Sequence, residues 1–124
     1  MTSRLALLAA FLLLAGSAQA QINPFTGHKG APRLADSDVT LLDQTGQKLL
    51  GDTKPAKGAS ETWLNDATGA AGKVAYVGPT SRKVGTTKYA CRRLRYEVTL
   101  KAGKTTHTAR AVWCQQPDGT WQLN

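Results

Sequence analysis

The spacing of apolar positions changes period along the chain. Val39, Leu42, Leu49 and Leu50, with Gly46 between them, recur at the three-to-four spacing of a helix. Asp36, Ser37 and Asp38 stand before this run as candidate N-caps, and Gly51 follows it as a candidate C-cap. The predicted helix is amphipathic and about three turns long, so its apolar side needs a sheet to cover. Gly46 within it costs about 1 kcal/mol against alanine unless a neighbour packs there. Beyond Ser60 the period shortens to two. Strands are predicted over Ser60–Leu64, 73–77, 88–100, 105–116 and Trp121–Leu123. The turn-rich residues 65–72 separate the first two, and Pro117-Asp118-Gly119 precedes the last. Residues 78–87, with Gly78, Pro79 and Gly85, read as a flexible loop carrying Arg82 and Lys83.

The two longest strands set their own register. A hairpin turn over residues 101–104 puts Leu100 opposite Thr105. Counting outward from there sets Cys91 opposite Cys114, close enough for a disulfide. Closing that loop contributes about 3 kcal/mol in the chain-entropy model. The same register puts Ala90, Leu94, Tyr96, Val98 and Leu100 on one face with Ala109, Ala111 and Trp113. Trp121 and Leu123 join that face across the last turn. This is the predicted core face, beneath the helix. The opposite face carries Arg93, Arg95, Glu97, Thr99, Thr106, Thr108 and Arg110, and is expected to be solvated. The expected fold is α+β: one N-terminal helix on a four- to five-stranded antiparallel β-meander with one disulfide.

The first twenty residues belong to a different pattern. Arg4 gives a positive start, residues 5–15 are an apolar run, and Ala18-Gln19-Ala20 is a small-x-small cleavage site. Residues 1–20 therefore read as a secretory signal peptide, with no integral membrane span left after cleavage. Residues 21–35, with Pro24, Gly27, Gly30 and Pro32, read as a flexible arm. Residues 36–124 form the single folded domain. Export to the periplasm or beyond places Cys91 and Cys114 in an oxidising compartment, which agrees with their pairing.

The pieces Trp63-x-Asn65, Thr68-Gly69-x-x-Gly72-x-Val74, Cys91-Arg92, Trp113-Cys114 and Gln116-Pro117-Asp118-Gly119-x-Trp121 follow one another in a familiar order. Over residues 58–124 the chain resembles the surface antigen domain of the bacterial 17 kDa surface antigen family. The resemblance implies an exported envelope protein with an antiparallel meander, often outer-membrane associated. It implies no catalytic residues. The chain departs from the family pattern in having no lipobox cysteine and no glycine zipper.

Composition then narrows the chemistry. Sixteen Lys and Arg against eight Asp and Glu give a net charge of +8. Ser37, Ser60 and Ser81 lack the Gly-x-Ser-x-Gly setting of a nucleophile elbow, and both cysteines are consumed by the bridge. His28 and His107 lie far apart in sequence, so no metal site and no cofactor are expected. Gly103-Lys104-Thr105 resembles the end of a phosphate loop, but Val98 stands where that motif needs glycine. The remaining signal is basic: Lys88, Arg92, Arg93 and Arg95 lie within eight residues, and Arg95 faces Arg110 across the strands. Arg93, Arg95 and Arg110 are the candidate binding residues. The expected partner is an anionic envelope component or an envelope protein rather than nucleic acid. The expected role is structural or binding, without catalysis. The rival reading is a protein-interaction module or inhibitor acting through an edge strand or residues 78–87.

Overall fold

The computed structural model describes residues 21–102 and 104–124. The predicted signal peptide, residues 1–20, lies outside the described residues. Helix α1 (Asp36–Gly51) is followed by β1 (Ser60–Leu64), β2 (Ala71–Val84), β3 (Thr87–Thr99), β4 (Thr106–Gln115) and β5 (Trp121–Leu123). The strands form one sheet in the order β1-β2-β3-β4-β5, antiparallel at every pairing. The α+β meander expected from the residue pattern is therefore present. The β3–β4 ladder runs from Cys91 opposite Cys114 to Thr99 opposite Thr106, and the two cysteines are bonded.

The helix side of the sheet is the core. Leu42, Leu49 and Leu50 of α1 pack with Val74, Tyr76, Leu94, Tyr96, Val98, Ala109 and Trp113. Burying each large apolar side chain contributes about 1.5–3 kcal/mol. Gly46 is buried against Tyr96, whose hydroxyl would lie 3.3 Å from an added Cβ. The glycine thus sets how closely helix and sheet approach. The Tyr96 hydroxyl accepts a hydrogen bond from Trp113 Nε1 at 2.8 Å, which satisfies that indole nitrogen inside the core. Burial also pushes the Tyr96 phenol well above its ordinary range, with a smaller push from the Asp43 charge.

Two polar clusters pin the ends of α1. At its start, the Asp38 carboxylate accepts the Ala35 backbone N–H at 3.0 Å, the Asn65 side-chain amide at 2.7 Å and the Thr68 hydroxyl at 2.6 Å. This locks the helix N-terminus to the β1–β2 turn. Asp38 is 2% exposed, so each of these bonds offsets the cost of burying its charge. The predicted caps are displaced: Asp36, Ser37 and Asp38 are all helical and Ala35 takes the N-cap position, while Gly51 is the last helical residue and Asp52 takes the C-cap position. At the helix end, Arg92 Nη1 donates to the backbone oxygens of Leu49, Leu50 and Asp52 at 2.7–3.0 Å. Its guanidinium lies 4.7 Å from the Trp121 ring centre. A cation held against the open carbonyls also complements the helix dipole.

Gly72 pairs with Trp63 across β1 and β2. A Cβ there would run into the Trp63 indole and the Glu97 backbone oxygen. The missing side chain is what lets the Trp63 indole approach the sheet closely, at 7% exposure.

Three expectations need correction. Residues 78–87 are not a loop: β2 continues to Val84, and only Gly85 and Thr86 turn before β3 begins. A register shift between Tyr76 and Gly78 re-aims the strand, and Gly85, at φ +61°, supplies the left-handed residue that a two-residue hairpin needs. Ala90 has the parity of the core face, yet it is exposed, because it lies beyond the part of the sheet that α1 covers. Residues 21–35, expected as an arm, insert Phe25 into the core at 2% exposure and form turns over residues 24–27.

Candidate functional site

The face away from the helix carries a groove of about 650 Å³. Its floor comes from the middle of β2, β3 and β4, where Val77, Arg93, Arg110 and Val112 project. One wall is the turn segment after Asn23, which contributes Pro24, Thr26 and His28. Leu123 and Asn124 close the end. The wall is held by Phe25, whose ring is in the core and whose N–H donates to Asn23 Oδ1 at 2.9 Å. The Asn124 backbone N–H donates to the Val112 carbonyl at 2.9 Å, which fixes the chain end beside the floor.

Sheet geometry explains the pair of guanidinium groups. Arg93 pairs with Val112, and Arg95 pairs with Arg110. Arg93 and Arg110 are therefore diagonal neighbours, with backbones about 7–8 Å apart. Arg93 Nη2 donates to Thr80 Oγ1 at 3.3 Å, and Arg110 makes no ion pair among the described residues. No acidic side chain lines the groove. Two cations thus face the same concavity, with Val77, Pro24 and Val112 supplying apolar surface beside them. Val77 is 37% exposed, so this apolar surface is open.

Arg95 behaves differently from the other two predicted residues. Its Nη1 lies 3.1 Å from Glu97 Oε1, and Lys73 Nζ lies 3.7 Å from the other carboxylate oxygen. Glu97 absorbs the charge of Arg95 and softens its repulsion from Arg110. Arg93 and Arg110 are brought together in the groove; Arg95 stands outside it. Arg92, counted in sequence with the same basic cluster, points to the opposite face and caps the helix. The residues that sequence reasoning missed are Val77, Pro24, His28 and Leu123. The only signal for the wall was Phe25, a large apolar residue inside a turn-rich stretch.

Two other concavities differ in chemistry. His28 and His107 line one shallow cleft of about 250 Å³ with Lys29 and Pro32, and no carboxylate lines it. On the helix side, Asp43, Gln47, Trp113 and Trp121 line a cavity of about 340 Å³. Burial raises the Asp43 carboxyl above its ordinary range, and a hydrogen bond with Gln47 pulls it partly back. Among the described residues, no three His, Cys, Asp or Glu side chains gather as metal ligands. Among the same residues, no helix is long and apolar enough to cross a membrane.

No family model, curated protein or solved structure matches this chain.

Proposed function

We propose that this is a non-catalytic binding protein of the cell envelope whose groove holds an amphipathic anion. The observation that carries the reading is the pairing of Arg93 and Arg110 with open aliphatic surface in one concavity. The chemistry is complementary to a phosphate or carboxylate head joined to an alkyl tail. Two guanidinium groups on the diagonal bracket the head, each able to donate in pairs to its oxygens. The alkyl part lies on Val77, Val112 and Pro24, where burial drives association. A volume of about 650 Å³ is in the range of small-ligand sites.

Export is part of the same reading. The Cys91–Cys114 disulfide fits an oxidising compartment, and residues 1–20 have the order of an export signal. The intact mass of protein recovered from the producing cell's envelope should correspond to a chain beginning at Gln21. A full-length mass in that fraction would contradict export by cleavage.

The ligand class is tested by calorimetric titration of the purified protein with octyl phosphate, octanol and inorganic phosphate. Octyl phosphate should bind much more tightly than either of the others, and more weakly as salt is raised. Equal binding of octanol would show that the arginines take no part. A single protein partner retained from an envelope extract at high salt would favour the edge-strand reading instead.

A further inference from the structure

The β2–β3 hairpin continues well past the body of the sheet. β1 stops pairing with β2 at Ala75, and β4 stops pairing with β3 at Cys91. Residues 81–90 pair only with each other, from Ser81 opposite Ala90 to Val84 opposite Thr87. At strand spacing this ribbon projects about 15 Å. Within residues 81–90 only Tyr89 is even half-buried, and Arg82, Val84 and Tyr89 line a shallow cleft of about 160 Å³ with Cys114, Gln116 and Gln122. A free two-stranded ribbon is marginal in water, and here the disulfide fixes its base at Cys91.

The ribbon's side chains are costly to the fold. Lys83 sits directly opposite Lys88, a like-charge pair that weakens the hairpin. Arg82 lies next to Lys83, and no Asp or Glu occurs anywhere between Gly78 and Tyr96. Nothing on the ribbon balances its three cations. At the turn itself Val84 is 50% exposed, an aliphatic side chain presented among charges.

We propose that this hairpin tip docks on a membrane surface rich in anionic headgroups. The cleft it lines, at about 160 Å³, is smaller than a small-ligand site. The tip places no exposed aromatic ring at the turn on which nucleic acid bases would stack. Three cations around one aliphatic side chain match a headgroup layer, with phosphates outside and acyl chains beneath. The uniform positive charge also disfavours a second copy of the chain as the occupant. The proposal stands on a different surface from the groove and does not depend on it.

The test is sedimentation of the purified protein with phosphatidylcholine vesicles, with and without phosphatidylglycerol, at low and high salt. The protein should partition onto the anionic vesicles at low salt only. Each cation near such a surface is worth about fivefold in partitioning, so Arg82→Ser/Lys83→Ser/Lys88→Ser should lose about a hundredfold. Val84→Ser should lose severalfold at unchanged charge. These positions lie outside the core, so the melting temperature should not fall, and a melt on each variant verifies that. Arg93→Ser/Arg110→Ser should still lose octyl phosphate binding while keeping most vesicle binding, which separates this proposal from the groove. Equal sedimentation with neutral vesicles, or a triple variant that sediments like the unaltered protein, would overturn it.

Discussion

Arg92 and Arg93 are adjacent in sequence and serve opposite faces of the sheet. A strand alternates its side chains, so Arg92 goes to the helix side and Arg93 to the open side. Arg92 donates to four backbone oxygens at the end of α1 and lies against Trp121. Its planar fork suits several carbonyls at once in a way that a lysine ammonium does not. Arg92→Ala should lower stability by about 2–3 kcal/mol, from charged hydrogen bonds and the helix-end interaction together, and Arg92→Lys should recover less than half of it. Urea denaturation checks both; an alanine variant of unchanged midpoint would refute the cap. Asp43 gives a prediction in pH. Its carboxyl binds a proton more tightly folded than unfolded, so protonation favours the fold. That contribution is complete below the ordinary value of 3.8 and is lost as pH rises through the raised folded value. Asp43→Asn should therefore raise the melting temperature at neutral pH, and the gain should vanish in acid. A gain that persists or grows in acid would mean that the carboxyl is not strained by burial.

At the level of elements, legibility in the sequence followed periodicity. α1, β3 and β4 each bury one face, so apolar spacing marks them, and the cysteine positions fix the β3–β4 register. The second half of β2 has no such mark. Apart from Val84, residues 78–87 carry no large apolar side chain, and Gly78, Pro79 and Gly85 carry the signals of a loop. A ribbon without a core leaves no alternation to read. The helix caps were hidden for another reason. Asp38 and Arg92 find their partners 27 to 43 residues away, and spacing along the chain does not encode such contacts. The disulfide joins the end of the β3–β4 ladder to the base of the ribbon. Cys91→Ala/Cys114→Ala should cost about 3 kcal/mol by releasing the loop between them. Hydrogen exchange should quicken most in residues 81–90, because the disulfide holds the ribbon's base. Uniform quickening across the sheet would contradict that placement.

Over the whole molecule, the fold and the groove draw on different residues. The tryptophan, asparagine, glycine and Cys-Arg positions singled out in the sequence hold the architecture together. Asn65 and Thr68 fix the start of the helix, Arg92 and Trp121 its end, Trp63 lies over Gly72, and Trp113 binds Tyr96. None of them supplies a charge to the groove. That site is assembled from three distant parts of the chain: the turns after Asn23, the centre of β2–β4, and the final residues. This is why Arg93 and Arg110, named from the sequence together with Arg95, were visible as a pattern while the groove's walls were not. It also gives Arg95 the place of an internal control, since Glu97 occupies it at 3.1 Å outside the groove. The most direct measurement is the affinity for octyl phosphate of Arg93→Ser/Arg110→Ser beside that of Arg95→Ser, by calorimetry at low salt. Two lost charge-assisted contacts should weaken the double variant by tenfold or more, while Arg95→Ser stays close to the unaltered protein. Unchanged binding by the double variant, or an equal loss from Arg95→Ser, would contradict the assignment of the groove as the anion site.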